Sequence, residues 1–193
     1  MVYIPSGTLH IGGGDQDVNH AMVQRPKSIS IQGFFMDDTE ITNNEYRQFV
    51  YWVTDSLAHA KLDHFKESEE TGAQQIDWEQ DLDYKESAEE LQDMYYAENE
   101  RFDGKKEVDS RKLVYEMQWY DWQSAAHDKN SNRTSFIKKE KVAIYPDTLA
   151  WIRDFSYSYN EPMARNYFWH PAFDDYPVVG VNWKMSKAFC HWR

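Results

Sequence analysis

The chain has a single cysteine, Cys190, among 193 residues. No intrachain disulfide can form, which by itself leaves the compartment open, since secreted domains also do without them. Long apolar runs are missing too. No stretch of about 18 apolar residues occurs, so the sequence offers no helix to span a bilayer. Basic charge is scarce: 21 Lys and Arg stand against 33 Asp and Glu, a net charge of −12. A phosphate backbone would be repelled by that balance, which excludes nucleic acid as a partner. Gly12-Gly13-Gly14 lacks the Lys-Ser/Thr that a phosphate cradle needs, so it reads as a plain turn. The seven histidines, at 10, 20, 59, 64, 127, 170 and 191, show no H-x₃-H or H-E-x-x-H spacing that would set two imidazoles on one helix face. His59 and His64, five apart, are expected to diverge around a helix. No internal repeat is visible.

What is present is aromatic and acidic. Hydrophobic residues make up 41% and aromatic residues 16% of the chain, enough for a folded protein, and the length suits one domain. The mean hydropathy of −0.84 comes from charge concentrated in one place. Residues 67–109 hold sixteen Asp or Glu against four Lys or Arg, so this stretch carries the whole net excess. It lacks the D-x-[DN]-x-[DN]-G loop of a divalent-cation site and reads as a solvated surface or one that faces a basic partner. Asn132-Arg133-Thr134 matches a glycosylation sequon and reads as a chance match.

Local patterns predict the elements. Val2 and Ile4 alternate, Pro5-Ser6-Gly7 turns, and Thr8-Leu9-His10-Ile11 and Ser28-Ile29-Ser30-Ile31 alternate again, so residues 1–41 read as short strands. Thr42-Asn43-Asn44-Glu45 has the spacing of a capping box. Tyr46, Phe49, Val50, Val53 and Leu57 then share one face, which predicts a helix over about 43–60. Between 61 and 140 proline is absent; Leu91, Met94 and Tyr95 hint at a helix, and Leu113, Tyr115, Met117 and Trp119 at a strand or helix. Residues 128–133 read as a loop. Eleven Phe, Tyr or Trp fall within residues 145–183, suited either to a rigid core lid or to a contact surface. Pro146, Pro162, Pro171 and Pro177 favour extended and turn segments there. A short apolar strand over residues 176–181 and a helix bearing Ala188, Phe189 and Trp192 are expected to close the chain.

Three blocks carry a resemblance. Met1-Val2-Tyr3-Ile4-Pro5-Ser6-Gly7-Thr8-Leu9-His10-Ile11-Gly12 opens it. Phe34-Phe35-Met36-Asp37-Asp38-Thr39-Glu40-Ile41-Thr42-Asn43-Asn44-Glu45-Tyr46-Arg47-Gln48-Phe49 follows, and Tyr176-Pro177-Val178-Val179-Gly180-Val181-Asn182-Trp183 with its helix ends it. In that order they resemble the formylglycine-generating (sulfatase-modifying) enzyme superfamily. The long insert between the second and third blocks, with Tyr145-Pro146-Asp147-Thr148-Leu149, Asn160-Glu161-Pro162-Met163 and Arg165-Asn166-Tyr167-Phe168-Trp169-His170-Pro171, is similar to the GldK/PorK branch, lipoproteins of gliding motility and type IX secretion in Bacteroidota.

The resemblance implies an α+β sulfatase-modifying-factor (C-type-lectin-like) fold with short strands, few helices and a long acidic insert at about 61–144. It also implies that residues 1–193 are the N-terminal part of one domain that continues past 193. The expected function is non-catalytic: a component of the type IX secretion and gliding machinery, forming a periplasmic ring with a GldN/PorN-type protein through hetero- and self-association. A membrane link is expected only through an N-terminal lipid anchor outside this chain. The alternatives are a formylglycine-generating-type oxidase acting on sulfatase cysteines, with copper held by two cysteines of the later half, and a ligand-binding lectin-like module. No catalytic, cofactor-binding or metal residue is assigned within 1–193, no cofactor is expected, and Cys190 reads as a small core residue.

Overall fold

The computed structural model describes residues 1–12, 25–68, 72–128, 130–158 and 161–193, which fall into two compact units, Met1–Ile41 and Thr42–Arg193. The architecture is α+β, built, among the described residues, of small helices and four antiparallel strand pairs.

In the first unit β1 (Val2–Ile4) pairs with β4 (Phe34–Met36), and β2 (Gly7–Ile11) pairs with β3 (Lys27–Ile31). The expected strands are therefore present, and the register explains their alternation. Leu9 lies opposite Ile29 and Gly7 opposite Ile31, so the apolar side chains of this pair share a face, while His10 and Ser28 meet on the other through a 2.8 Å hydrogen bond. Gly13, Gly14 and His20 lie outside the described residues.

The second unit is organised by α1 (Asn43–Lys61). The Thr42 hydroxyl accepts from the Glu45 amide and the Glu45 carboxylate accepts from the Thr42 amide, so the expected capping box is formed. The remaining amides of the first turn reach far along the chain. Asn43 N–H donates to the Tyr176 carbonyl and Asn44 N–H to that of Asp174, while the Asn43 side-chain amide donates to Phe173. A bridge from Thr42 to Pro177 completes this clamp. Residues 176–181, expected as a strand, contribute only that bridge. Their carbonyls are taken by the helix start and by a tyrosine, since Tyr167 donates its hydroxyl to Pro177, which leaves no strand ladder to build. Gly180 carries φ +77°, and a side chain there would collide with the Asp147 backbone, which donates to the Gly180 carbonyl at 2.9 Å.

The inner face of α1 supplies Tyr46, Phe49, Val50 and Val53, each 2% exposed or less. They pack against α4 (Trp183–Trp192) and, through Phe49 on Tyr115, against β7 (Val114–Tyr120), whose antiparallel partner is β8 (Ile137–Ala143). Rings bind these elements together: Phe189 stacks on Tyr46 at 5.6 Å and meets Phe49 edge-on, and Phe49 also contacts Tyr115 and Trp192. The strand reading of residues 113–119 is the one realised. The helix hinted at by Leu91, Met94 and Tyr95 is reduced to turns and one 3₁₀ turn, Gln92–Met94. Leu91 and Met94 nevertheless bury against Ala58, giving a second small core beneath the acidic stretch. Two further short strands, β5 (Phe65–Glu67) and β6 (Gln74–Ile76), pair after α1, and α2 (Trp122–His127) and α3 (Ala150–Asp154) complete the unit.

Candidate functional site

A cleft of about 730 Å³ lies beside α1 in the second unit. Three parts of the chain wall it. Tyr51 comes from the outer side of α1. Tyr96 and Glu107 face in from the insert, where a bridge between Tyr95 and Val108 and a hydrogen bond from Tyr96 N–H to the Glu107 carbonyl hold the two strands of chain together. Tyr145 and Trp169 belong to the aromatic segment. Asn166 adopts φ +56° there, a left-handed conformation that asparagine tolerates, and its carbonyl accepts from the amides of Trp169 and His170. The Trp169 backbone is pinned from α1: the buried Arg47 donates to its carbonyl at 3.2 Å and also pairs with Asp174.

The rings are locked to one another. The Trp169 indole N–H donates to the Tyr145 hydroxyl at 2.8 Å, and the Tyr51 ring centroid lies 5.9 Å from that of Trp169. Tyr96 bonds Ser110 at 2.9 Å. Burial raises the Tyr145 pKa above its ordinary value of 10.0; the indole hydrogen bond opposes this, while Tyr96, Glu107 and Tyr51 nearby add to it. Among the described residues no Lys, Arg or His lines the cleft. It is an electron-rich, mildly acidic cavity with hydrogen-bonding groups at its rim.

Across Tyr96 runs an acidic trough of about 800 Å³. Asp109, 3% exposed, is gripped by Arg111, whose guanidinium also reaches Glu100 at 2.7 Å. The Arg111 hydrogen bonds hold the Asp109 carboxyl below the ordinary carboxylate range. Glu89, Glu90 and Glu98 line the same trough, are exposed, and make no ion pair among the described residues. The described residues of 67–109 thus form a largely solvated acidic face anchored by a few apolar residues.

Other residues singled out from sequence land differently. His59 and His64 do not diverge: their Nδ1 atoms are 3.0 Å apart. The helix ends at Lys61, Asp63 takes φ +54°, and the chain folds back so that His64 meets the buried His59. At that separation one ring donates and the other accepts. Cys190, read as a core residue, is exposed, because Ala188, Phe189 and Trp192 occupy the inner side of α4 and turn it outward. His191 bonds the Tyr115 hydroxyl and the Gln118 carbonyl, and His170 accepts from Ala172 N–H. Among the described residues no three His, Cys, Asp or Glu side chains gather as a metal site. Residues 1–193 hold one cysteine, so they do not themselves supply the two thiolates of the copper centre that the resemblance places in the domain's later half.

The cleft was not foreseen. The aromatic density of 145–183 signals two of its walls, but nothing in sequence spacing links Tyr51 or the Tyr96–Glu107 pair to them. Fold and cleft together define an α+β domain with an aromatic cleft. The whole chain, residues 1–193, matches the family model described as the Sulfatase-modifying factor enzyme 1-like domain, and the chain belongs to that family. No curated protein and no solved structure matches it.

Proposed function

We propose that the chain is a non-catalytic assembly component of the type IX secretion and gliding-motility machinery, of the GldK/PorK kind. It docks a GldN/PorN-type protein, and further copies of itself, in a periplasmic ring held to the outer membrane by a lipid anchor outside these residues. The observation that carries the reading is the excursion between α1 and β7, which holds most of the chain's charge excess and where Glu89, Glu90 and Glu98 are exposed and make no ion pair among the described residues. Such a face suits a basic protein surface, and the sulfatase-modifying-factor family motifs frame it.

Association with a GldN/PorN-type protein, followed by stopped-flow across salt, tests this. Attraction between charged faces is screened as the Debye length falls from about 10 Å at 0.1 M salt to about 3 Å at 1 M. The association rate should therefore fall severalfold over that range, and Asp/Glu→Asn/Gln changes through 67–109 should flatten the dependence. Rates indifferent to both would sink the docking role. Aldehyde formation on a sulfatase-type cysteine peptide by the copper-supplied protein would sink the non-catalytic one.

A further inference from the structure

The acidic face describes a general attraction, but the cleft beside it has the makings of a specific receptor. Three tyrosines and a tryptophan converge on one cavity, joined by the single carboxylate of Glu107, which makes no ion pair among the described residues. A ring face carries partial negative charge from its quadrupole, so an aromatic box beside a carboxylate selects for a cation. The protein already uses that chemistry next door. Lys106 Nζ sits 4.1 Å from the Tyr95 ring centroid, and Arg111 approaches Tyr96 at 5.3 Å from the neighbouring trough. Within the cleft itself no cation among the described residues fills the role.

We propose that the cleft walled by Tyr51, Tyr96, Tyr145 and Trp169 receives a lysine or arginine side chain presented on an extended basic segment of a partner protein. The cavity, at about 730 Å³, exceeds one side chain and leaves room for flanking residues. The aliphatic stem lies along the rings, the charged head faces Glu107, and the Asn166 turn offers polar contacts to the segment's backbone. Glu89, Glu90 and Glu98, on the far side of Tyr96, extend the complementarity along the same segment. A neutral sugar would also stack on such rings, but it has no charge to answer Glu107 or the trough. The proposal deepens the docking reading, since it rests on a basic partner, and adds a defined receptor within it.

Calorimetric titration of the full chain with tetra-arginine, tetralysine, fully acetylated tetralysine and a neutral tetrasaccharide tests the proposal. Tyr51 is 54% exposed, so Tyr51→Leu leaves the core intact; Glu107→Gln keeps shape and removes charge. Both variants are checked for unchanged circular dichroism. The cationic peptides should bind, acetylation should abolish binding, and each substitution should weaken binding by about tenfold, as the loss of a desolvated cation–ring or ion contact implies. Tetra-arginine should remain the tighter of the two peptides, because a planar guanidinium stacks on rings. Equal binding by wild type and Tyr51→Leu would assign the peptides to the acidic face alone, overturning the receptor while leaving the docking surface standing. Binding of the sugar without the peptides, or of none of them, overturns it as well.

Discussion

At Tyr46 a phenol is sealed between α1, α4 and the end of β8, 2% exposed, and its hydroxyl donates to the Ile144 carbonyl at 2.8 Å. That carbonyl belongs to a residue that is itself fully buried. Removing the hydroxyl leaves the oxygen without its donor in a place water does not reach. The cost of stranding such a group is about 1–3 kcal/mol, more than the hydrogen bond's net worth, because desolvation is no longer offset. Tyr46→Phe keeps the ring stack on Phe189 and should still lower stability by that amount in urea unfolding. A midpoint equal to that of the parent would mean that the carbonyl finds another donor.

Among the elements, α1 was the most legible, and for physical reasons. Its signals are local: a hydroxyl three residues before a carboxylate, then apolar side chains at intervals of three and four. Thr42→Ala removes the cap and should cost about 0.5–2 kcal/mol, read as a lower thermal midpoint; an unchanged midpoint would show that the distant partners Tyr176 and Asp174 carry the helix start without it. The strands of residues 1–41 were legible on the same local grounds. The failures come where tertiary partners decide. Residues 176–181 have a strand's composition but find no strand beside them. His59 and His64 meet because the chain reverses at Asp63, an event that no helical spacing encodes. Cys190 turns outward because Phe189 and Trp192 claim the inner side of α4. The cleft escaped notice because its walls come from three segments with no common period.

Over the molecule as a whole, buried phenols set a limit at high pH. Tyr46, Tyr84, Tyr95, Tyr115 and Tyr145 all have pKa values raised above 10.0, chiefly by burial. Each keeps its proton in the folded state after the unfolded chain has released its own, so the folded state binds more protons above the unfolded value. The stability these groups contribute is complete below about pH 10 and is lost as pH rises through the folded values. Unfolding midpoints measured from pH 8 to 11.5 should hold level and then fall. The fall should be shallower in Tyr46→Phe, which has one titrating phenol fewer. Parallel curves for the two proteins would show that Tyr46 plays no part in the alkaline transition.

The clamp at the start of α1 joins Asn43 to Phe173, 130 positions later in the chain. In polymer terms it closes a very large ring, and the entropy of ring closure depends only logarithmically on contour length: doubling the length adds about 0.6 kcal/mol. The clamp is therefore almost indifferent to how much chain it spans. A shorter or longer excursion between β5 and β7 would leave the framework nearly as stable, so that segment is free to vary in length and content while the frame that presents it stays the same.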